Sequence, residues 1–163
     1  MMISDKMLKA LNAQIGMEFA AATKYDAMAA HFEAEALPQS AKRFFKQAAE
    51  EREHAHKFLR YVLDVGGRVQ IPEIPAPPHT YKSSEAAAQA ALDSEMAVTK
   101  SINNLMDLAL AEKDHATAAM LQWFITEQVE EISSADQFLR LVQRAGEKNI
   151  LAVEDYLADT DEE

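Results

Sequence analysis

Gly66-Gly67-Arg68-Val69-Gln70-Ile71-Pro72-Glu73-Ile74-Pro75-Ala76-Pro77-Pro78-His79-Thr80-Tyr81-Lys82-Ser83-Ser84 is the stretch that decides the fold. Two glycines open it, a strong signal for the end of a helix. Pro72, Pro75, Pro77 and Pro78 then leave no room for another helix before Ser84. On either side lie two long, periodic segments with a short break inside each pair. A connection of this length can travel the whole length of a helical bundle. The second and third helices can therefore run parallel, while the other neighbours are antiparallel. The expected fold is all-α: four long helices, one crossover and a short fifth helix.

The segments read as helices over about 4–36, 38–65, 84–111 and 114–145, with a short one over about 147–158. Each long helix spans roughly 40–50 Å at about 1.5 Å per residue. In the first, Leu8, Leu11, Ile15, Phe19, Ala22, Met28 and Phe32 recur at spacings that share one face. Ser4 suits an N-cap, and Gly16 is the one weak residue inside, at roughly 1 kcal/mol against alanine. Pro38 suits the first turn of the second helix, which carries Phe44, Ala48, Ala55, Phe58 and Val62. The third carries Leu92, Met96, Thr99, Ile102, Leu105 and Ala109. The fourth starts at Asp114 as N-cap, carries Leu121, Phe124, Ala135, Phe138 and Val142, and ends at Gly146. Ile150, Val153 and Leu157 share one side of the terminal segment. Met28, Met96 and Met106 sit at helical spacing and read as core filler.

The 163 residues are enough for one domain, 1–163, with a sizeable core. There is no cysteine, which excludes disulfides, thiolate metal sites and cysteine catalysis. A formal net charge of −11 without a long basic cluster argues against nucleic acid and suits cations instead. No run approaches transmembrane length, and the N-terminal residues lack the apolar core of a signal peptide, so no membrane is expected and the cytoplasm is the expected location.

The apolar seams are interrupted by acids. Ile15 leads to Glu18 and then Ala22; Ala48 leads to Glu51 and then Ala55; Leu92 leads to Glu95 and then Thr99. In the fourth segment Phe124 leads to Gln128 and Glu131, then Ala135. Each long helix thus directs at least one carboxylate inward near its middle. Four such groups, with few cations on those faces, repel one another unless a metal ion satisfies them.

Spacing strengthens the case. Glu51-Arg52-Glu53-His54 is a Glu-x-x-His motif, one turn apart on one face. Glu18 precedes Glu51 by 33 residues and Glu95 precedes Gln128 by 33. At an offset of 77, Glu18 matches Glu95, Glu51 matches Gln128, His54 matches Glu131, and Glu50 and Glu53 match Glu127 and Glu130. Each element alone has an ordinary reading as a solvated helix charge. The same spacing in both halves, with the members on predicted seams, asks for a metal site with pseudo-twofold symmetry.

At these residues the sequence resembles the non-haem bacterial ferritins, in helix lengths, crossover, terminal helix and ligand set. The resemblance implies a ferroxidase centre with Glu18, Glu51 and His54 on one iron. Glu95 and Glu131 hold the second, with Glu51 bridging and Gln128 close by. It implies a third iron position near the inner surface, matched by Glu50, Glu127, Glu130 and Glu131. Tyr25 and Trp123 match aromatic residues beside the centre, with ordinary core packing as the alternative. Bacterioferritin carries Glu-x-x-His twice and a haem-binding methionine beside the first. Here Arg52 stands in that place and Gln128…Glu131 replaces the second motif, so no haem is expected.

The implied activity is oxidation of Fe(II) by O2 or H2O2, with ferric mineral deposited inside a shell of twenty-four identical subunits. Oxygen-rich ligands with one imidazole suit iron in both oxidation states. The competing readings are a discrete di-iron oxidase or peroxidase without a mineral store, a bacterioferritin-like protein, and an acidic helical scaffold. The additional acids Glu50, Glu127 and Glu130 favour storage, because they offer iron a next place to bind.

Overall fold

The computed structural model of the protein describes residues 2–160. Four long helices, α1 (Asp5–Ala34), α2 (Pro38–Asp64), α3 (Ser84–Ala111) and α4 (His115–Ala145), are followed by a 3-10 turn (Glu147–Asn149) and α5 (Leu151–Thr160). The terminal segment expected over 147–158 is therefore a tight turn and then a helix that ends slightly later. Helix starts follow local chemistry: the Ser4, Ser83 and Asp114 side chains accept from the backbone N–H of Met7, Ala86 and Thr117. Gly66 takes a φ of 78° immediately after α2 and Gly146 a φ of 67° after α4, conformations suited to glycine.

Two apolar clusters fill the bundle, one toward each end. One holds Tyr25, Phe32, Phe44, Ala88, Phe138 and Val142; the other holds Leu11, Ile15, Phe58, Ile102, Leu121 and Phe124. Along α1 and α4 the chain passes from the second cluster to the first. Along α2 and α3 it passes from the first to the second. So α1 and α2 are antiparallel, α3 and α4 are antiparallel, and α2 and α3 are parallel, as the crossover permits. A polar layer separates the clusters at mid-bundle, where Glu18, Glu51, His54, Glu95, Gln128 and Glu131 are buried.

Two elements depart from the expected seams. Met96, expected in the core, is 55% exposed. The buried stripe on α3 runs through Ala88, Ala91, Glu95, Val98, Ile102, Leu105 and Ala109 in alternating steps of three and four, flanked by the buried Ser84, Ala87 and Ser94. Met96 follows Glu95 by one residue, and so points about 100° away from that stripe. Gly16 is not a weak spot but a contact: the ring of Pro72 from the crossover lies against it. Asn12 fixes the same part of the crossover, donating to the Arg68 carbonyl at 3.1 Å and accepting from the Gln70 N–H at 2.9 Å.

The short α5 is tied to the bundle by an acid. Helix α2 has Leu37 at its N-cap, which offers no side-chain acceptor. Glu154, buried on α5, fills that role by accepting from the backbone N–H of Gln39 at 2.6 Å and of Ser40 at 2.9 Å. Glu147 accepts from the Ser84 hydroxyl and the Glu85 N–H at the start of α3. Both acids lie where unpaired helix N–H groups favour negative charge.

Candidate metal centre

The acids predicted from the seams converge. Glu18, Glu51 and His54 place one ligand atom each within 4.8 Å of one another, and so do Glu51, Glu95 and Glu131. A third such set is His54, Glu127 and Glu131. Glu51 belongs to the first two sets, so it alone touches both halves of the pair. His54 Nδ1 lies 3.2 Å from Glu51, while Nε2 faces Glu127 at 3.9 Å. Glu127 is therefore the acid that faces the second ring nitrogen. Glu50, half-buried beside Lys46 at 4.0 Å, and the exposed Glu130 stand outside the three sets.

Burial and the crowding of like charge raise the carboxyls of the cluster. Burial lifts the Glu18 carboxyl well above the usual carboxylate range; the Glu51 charge adds to this and the Gln14 hydrogen bond opposes it. Burial and the Glu51 charge push Glu95 up to about 8, against the hydrogen bond from Tyr25. The same two causes raise Glu131 to about 7, against the Gln47 hydrogen bond. Burial pulls the His54 imidazole down, but the hydrogen bond and charge of Glu51 outweigh it and the net shift is upward. Like charges in a dry site hold protons until a cation replaces them. Oε2 of Glu18 is buried with no hydrogen-bond partner, an oxygen that a metal ion would satisfy. Buried carboxylates with one imidazole are a donor set that fits iron.

The remaining predicted residues frame this group. Tyr25 donates its hydroxyl to Glu95, and burial followed by the Glu95 charge raises its own pKa, so it stays a donor. Its ring stacks on Phe44, so it belongs to the core while its hydroxyl reaches the acid cluster. Gln128 turns its amide nitrogen to Thr99 at 2.9 Å and to Glu95 at 3.3 Å. Trp123 is 41% exposed, so core packing does not account for it. Its ring meets the His54 ring edge-on at 5.5 Å, and the Lys57 ammonium sits 4.1 Å above it. Arg52 pairs with Asp26 at 2.7 Å.

Two buried or half-buried amides escaped the sequence reading. Gln14 donates to Glu18 at 2.8 Å, and Gln47 donates to Glu131 at 2.5 Å and to Glu51 at 3.3 Å. A signal was available: each stands four residues before its acid, and the two are separated by the same 33 residues as Glu18 and Glu51. Glutamine on a helix is so common that the spacing alone carries little weight.

Fold and cluster together define an all-α bundle built around a buried group of carboxylates and one imidazole that could hold metal. A family model described as a ferritin-like domain matches residues 8–145. Ferritin BfrB of Mycolicibacterium smegmatis is 40% identical over 145 residues, covering 89% of this chain and 80% of that protein. A bacterial non-heme ferritin of Staphylococcus aureus is 36% identical over 146 residues, covering 90% and 88%. Among solved structures, an open pore ferritin from the hyperthermophilic archaeon Archaeoglobus fulgidus superposes with a TM-score of 0.93 at 37% identity, covering 96% of each chain. The chain belongs to the ferritin family, on its non-haem side. Iron storage is the coarse function that membership brings. No described helix is long and apolar enough to cross a membrane.

Proposed function

We propose that this protein oxidises Fe(II) at Glu18, Glu51, His54, Glu95 and Glu131 and stores the ferric product within a closed assembly of twenty-four copies. The observation that carries the reading is the pair of ligand sets sharing Glu51, with an unpartnered Glu18 oxygen between the two apolar clusters. One ferrous ion binds Glu18, Glu51 and His54; a second binds Glu51, Glu95 and Glu131. Each gives up one electron. Dioxygen takes two electrons and two protons and leaves as hydrogen peroxide, or hydrogen peroxide takes the same and leaves as two waters.

The protein's residues do the positioning. Glu51 spans the pair and sets its separation. Four carboxylates favour the ferric over the ferrous charge. Tyr25 and Gln128 hold Glu95 by its oxygens, and Glu127 faces the second ring nitrogen of His54 at 3.9 Å. Carboxyl protons leave as iron binds, so uptake releases acid. Glu127, with Glu50 and Glu130 on the wetter side, gives ferric ions a path out of the site and a third iron position. The cytoplasm is the compartment this reading assigns.

Ferrous iron added stepwise in air to the purified apo-protein tests the proposal, with ferric absorbance and assembly size followed on one sample. Uptake far beyond a few irons per chain in a large soluble shell is expected. Saturation at two or three per chain in a small oligomer would replace storage by a discrete di-iron enzyme. No oxidation above the buffer rate would sink the ferroxidase assignment.

A further inference from the structure

Gln14 lies one turn before Glu18 on α1 and has no solvent exposure. Its amide nitrogen donates to Glu18 Oε1 at 2.8 Å, and its amide oxygen accepts from the Ser101 hydroxyl on α3 at 2.5 Å. With Glu18 ionised, the opposite orientation of the amide would set oxygen against oxygen, so the carboxylate selects the placement and the Ser101 hydroxyl donates to the amide oxygen left on the other side. Glu18 thus has one oxygen, Oε1, committed to Gln14, and one, Oε2, buried without a hydrogen-bond donor, with the Glu51 carboxylate beside the group.

The other amides around the centre are shared. Gln47 divides its nitrogen between Glu51 and Glu131, and Gln128 divides its own between Glu95 and Thr99. Gln14 serves a single carboxylate from a dry position. A lysine there would cancel the negative charge the metal needs, whereas a neutral amide holds the group and leaves the charge intact.

We propose that Gln14, held by Ser101, is a positioning residue that reserves Oε1 of Glu18 and presents Oε2 alone to the metal on the His54 side. The inference rests on the metal-centre reading above. A carboxylate bound through one oxygen fills one coordination position instead of two. The position left open can admit an oxidant, as in catalytic sites that keep a ligand place free.

Anaerobic titration of the assembled apo-protein with Co(II), followed by calorimetry and visible absorption, tests this. Cobalt in six-fold coordination absorbs more weakly than in four- or five-fold coordination. The ion lost in His54→Ala identifies the His54-side position. Gln14→Met, of similar length but with no donor, should weaken that ion alone by about tenfold or more and lower its absorption as Glu18 clamps through both oxygens. Ser101→Ala should act in the same direction to a smaller extent, and should add nothing to Gln14→Met, because the two act through one chain of hydrogen bonds. Equal weakening of both ions, unchanged affinity and spectrum, or additive effects of the two substitutions would overturn the inference. If the unaltered protein binds two cobalt ions and Gln14→Met is indifferent, only this inference falls. If the unaltered protein binds none, the metal-centre reading falls with it.

Discussion

Pro72 of the crossover rests on Gly16 of α1 so closely that a Cβ at Gly16 would stand 2.2 Å from the proline Cγ and 2.9 Å from its Cδ. Alanine at position 16 would gain about 1 kcal/mol in helix propensity. Overpacking of this severity costs about 1–3 kcal/mol, so the clash should win. Gly16→Ala is expected to lower the thermal midpoint, with a net loss of up to about 2 kcal/mol. Adding Pro72→Ala to that variant should restore most of it. A midpoint raised by Gly16→Ala alone would mean that the crossover moves away freely.

The tether of α5 makes a second prediction. Glu154→Ala removes the side-chain cap at the start of α2 and leaves a buried gap, at a cost of about 1–2 kcal/mol. Amide exchange at Gln39 and Ser40 should accelerate together with exchange along α5. Fast exchange confined to α5 would show that Glu154 holds α5 without capping α2.

Acid-base behaviour of the metal-free protein follows from the raised carboxyls. Glu95 at about 8 and Glu131 at about 7 bind protons in the folded state that the unfolded chain, with ordinary carboxylate values, has already released. The folded state therefore holds more protons, and stability falls as pH rises from about 5 to 8. The upward shift of His54 acts in the same direction, its contribution being lost as pH rises through the folded value. Calorimetry of metal-free protein should show a falling midpoint over that window. Bound metal should flatten the profile, with its largest stabilisation at pH 8. A midpoint independent of pH without metal would contradict the proposed crowding of charge.

Glu51 is the sharpest single substitution, because its charge raises Glu18, Glu95 and Glu131 alike. Glu51→Gln should stabilise the metal-free protein at pH 8 and abolish the stabilisation by iron or cobalt. An acidic scaffold would show the first effect with no metal effect to lose. If Glu51→Gln still binds two ions per chain, the bridging role assigned to Glu51 is wrong.

Much of this was readable from the chain. The crossover is legible because glycine and proline act locally, through φ restriction and the missing N–H, whatever surrounds them. The caps at Ser4 and Asp114 and the first-turn Pro38 are local in the same way. The convergence of Glu18, Glu51, His54, Glu95 and Glu131 was legible because an acid on an apolar seam breaks a periodic pattern, and the break recurs at equal spacing in both halves. Met96 was misplaced because a one-residue step turns a side chain through about 100°, and an apolar residue beside the seam looks like a member of it.

The sequence by itself determined the helices, their order and the layer at which acids meet, since these depend on periodicity and on residues acting within a turn of themselves. Only the tertiary structure decided what each acid meets: Gln14, itself held by Ser101, at Glu18, Tyr25 and Gln128 at Glu95, Glu127 beside His54, Glu154 at the start of α2. Most of these partners are far apart along the chain. A hydrogen bond tolerates only a few tenths of an ångström in the separation of side chains on different helices, and spacing along one helix does not carry that information.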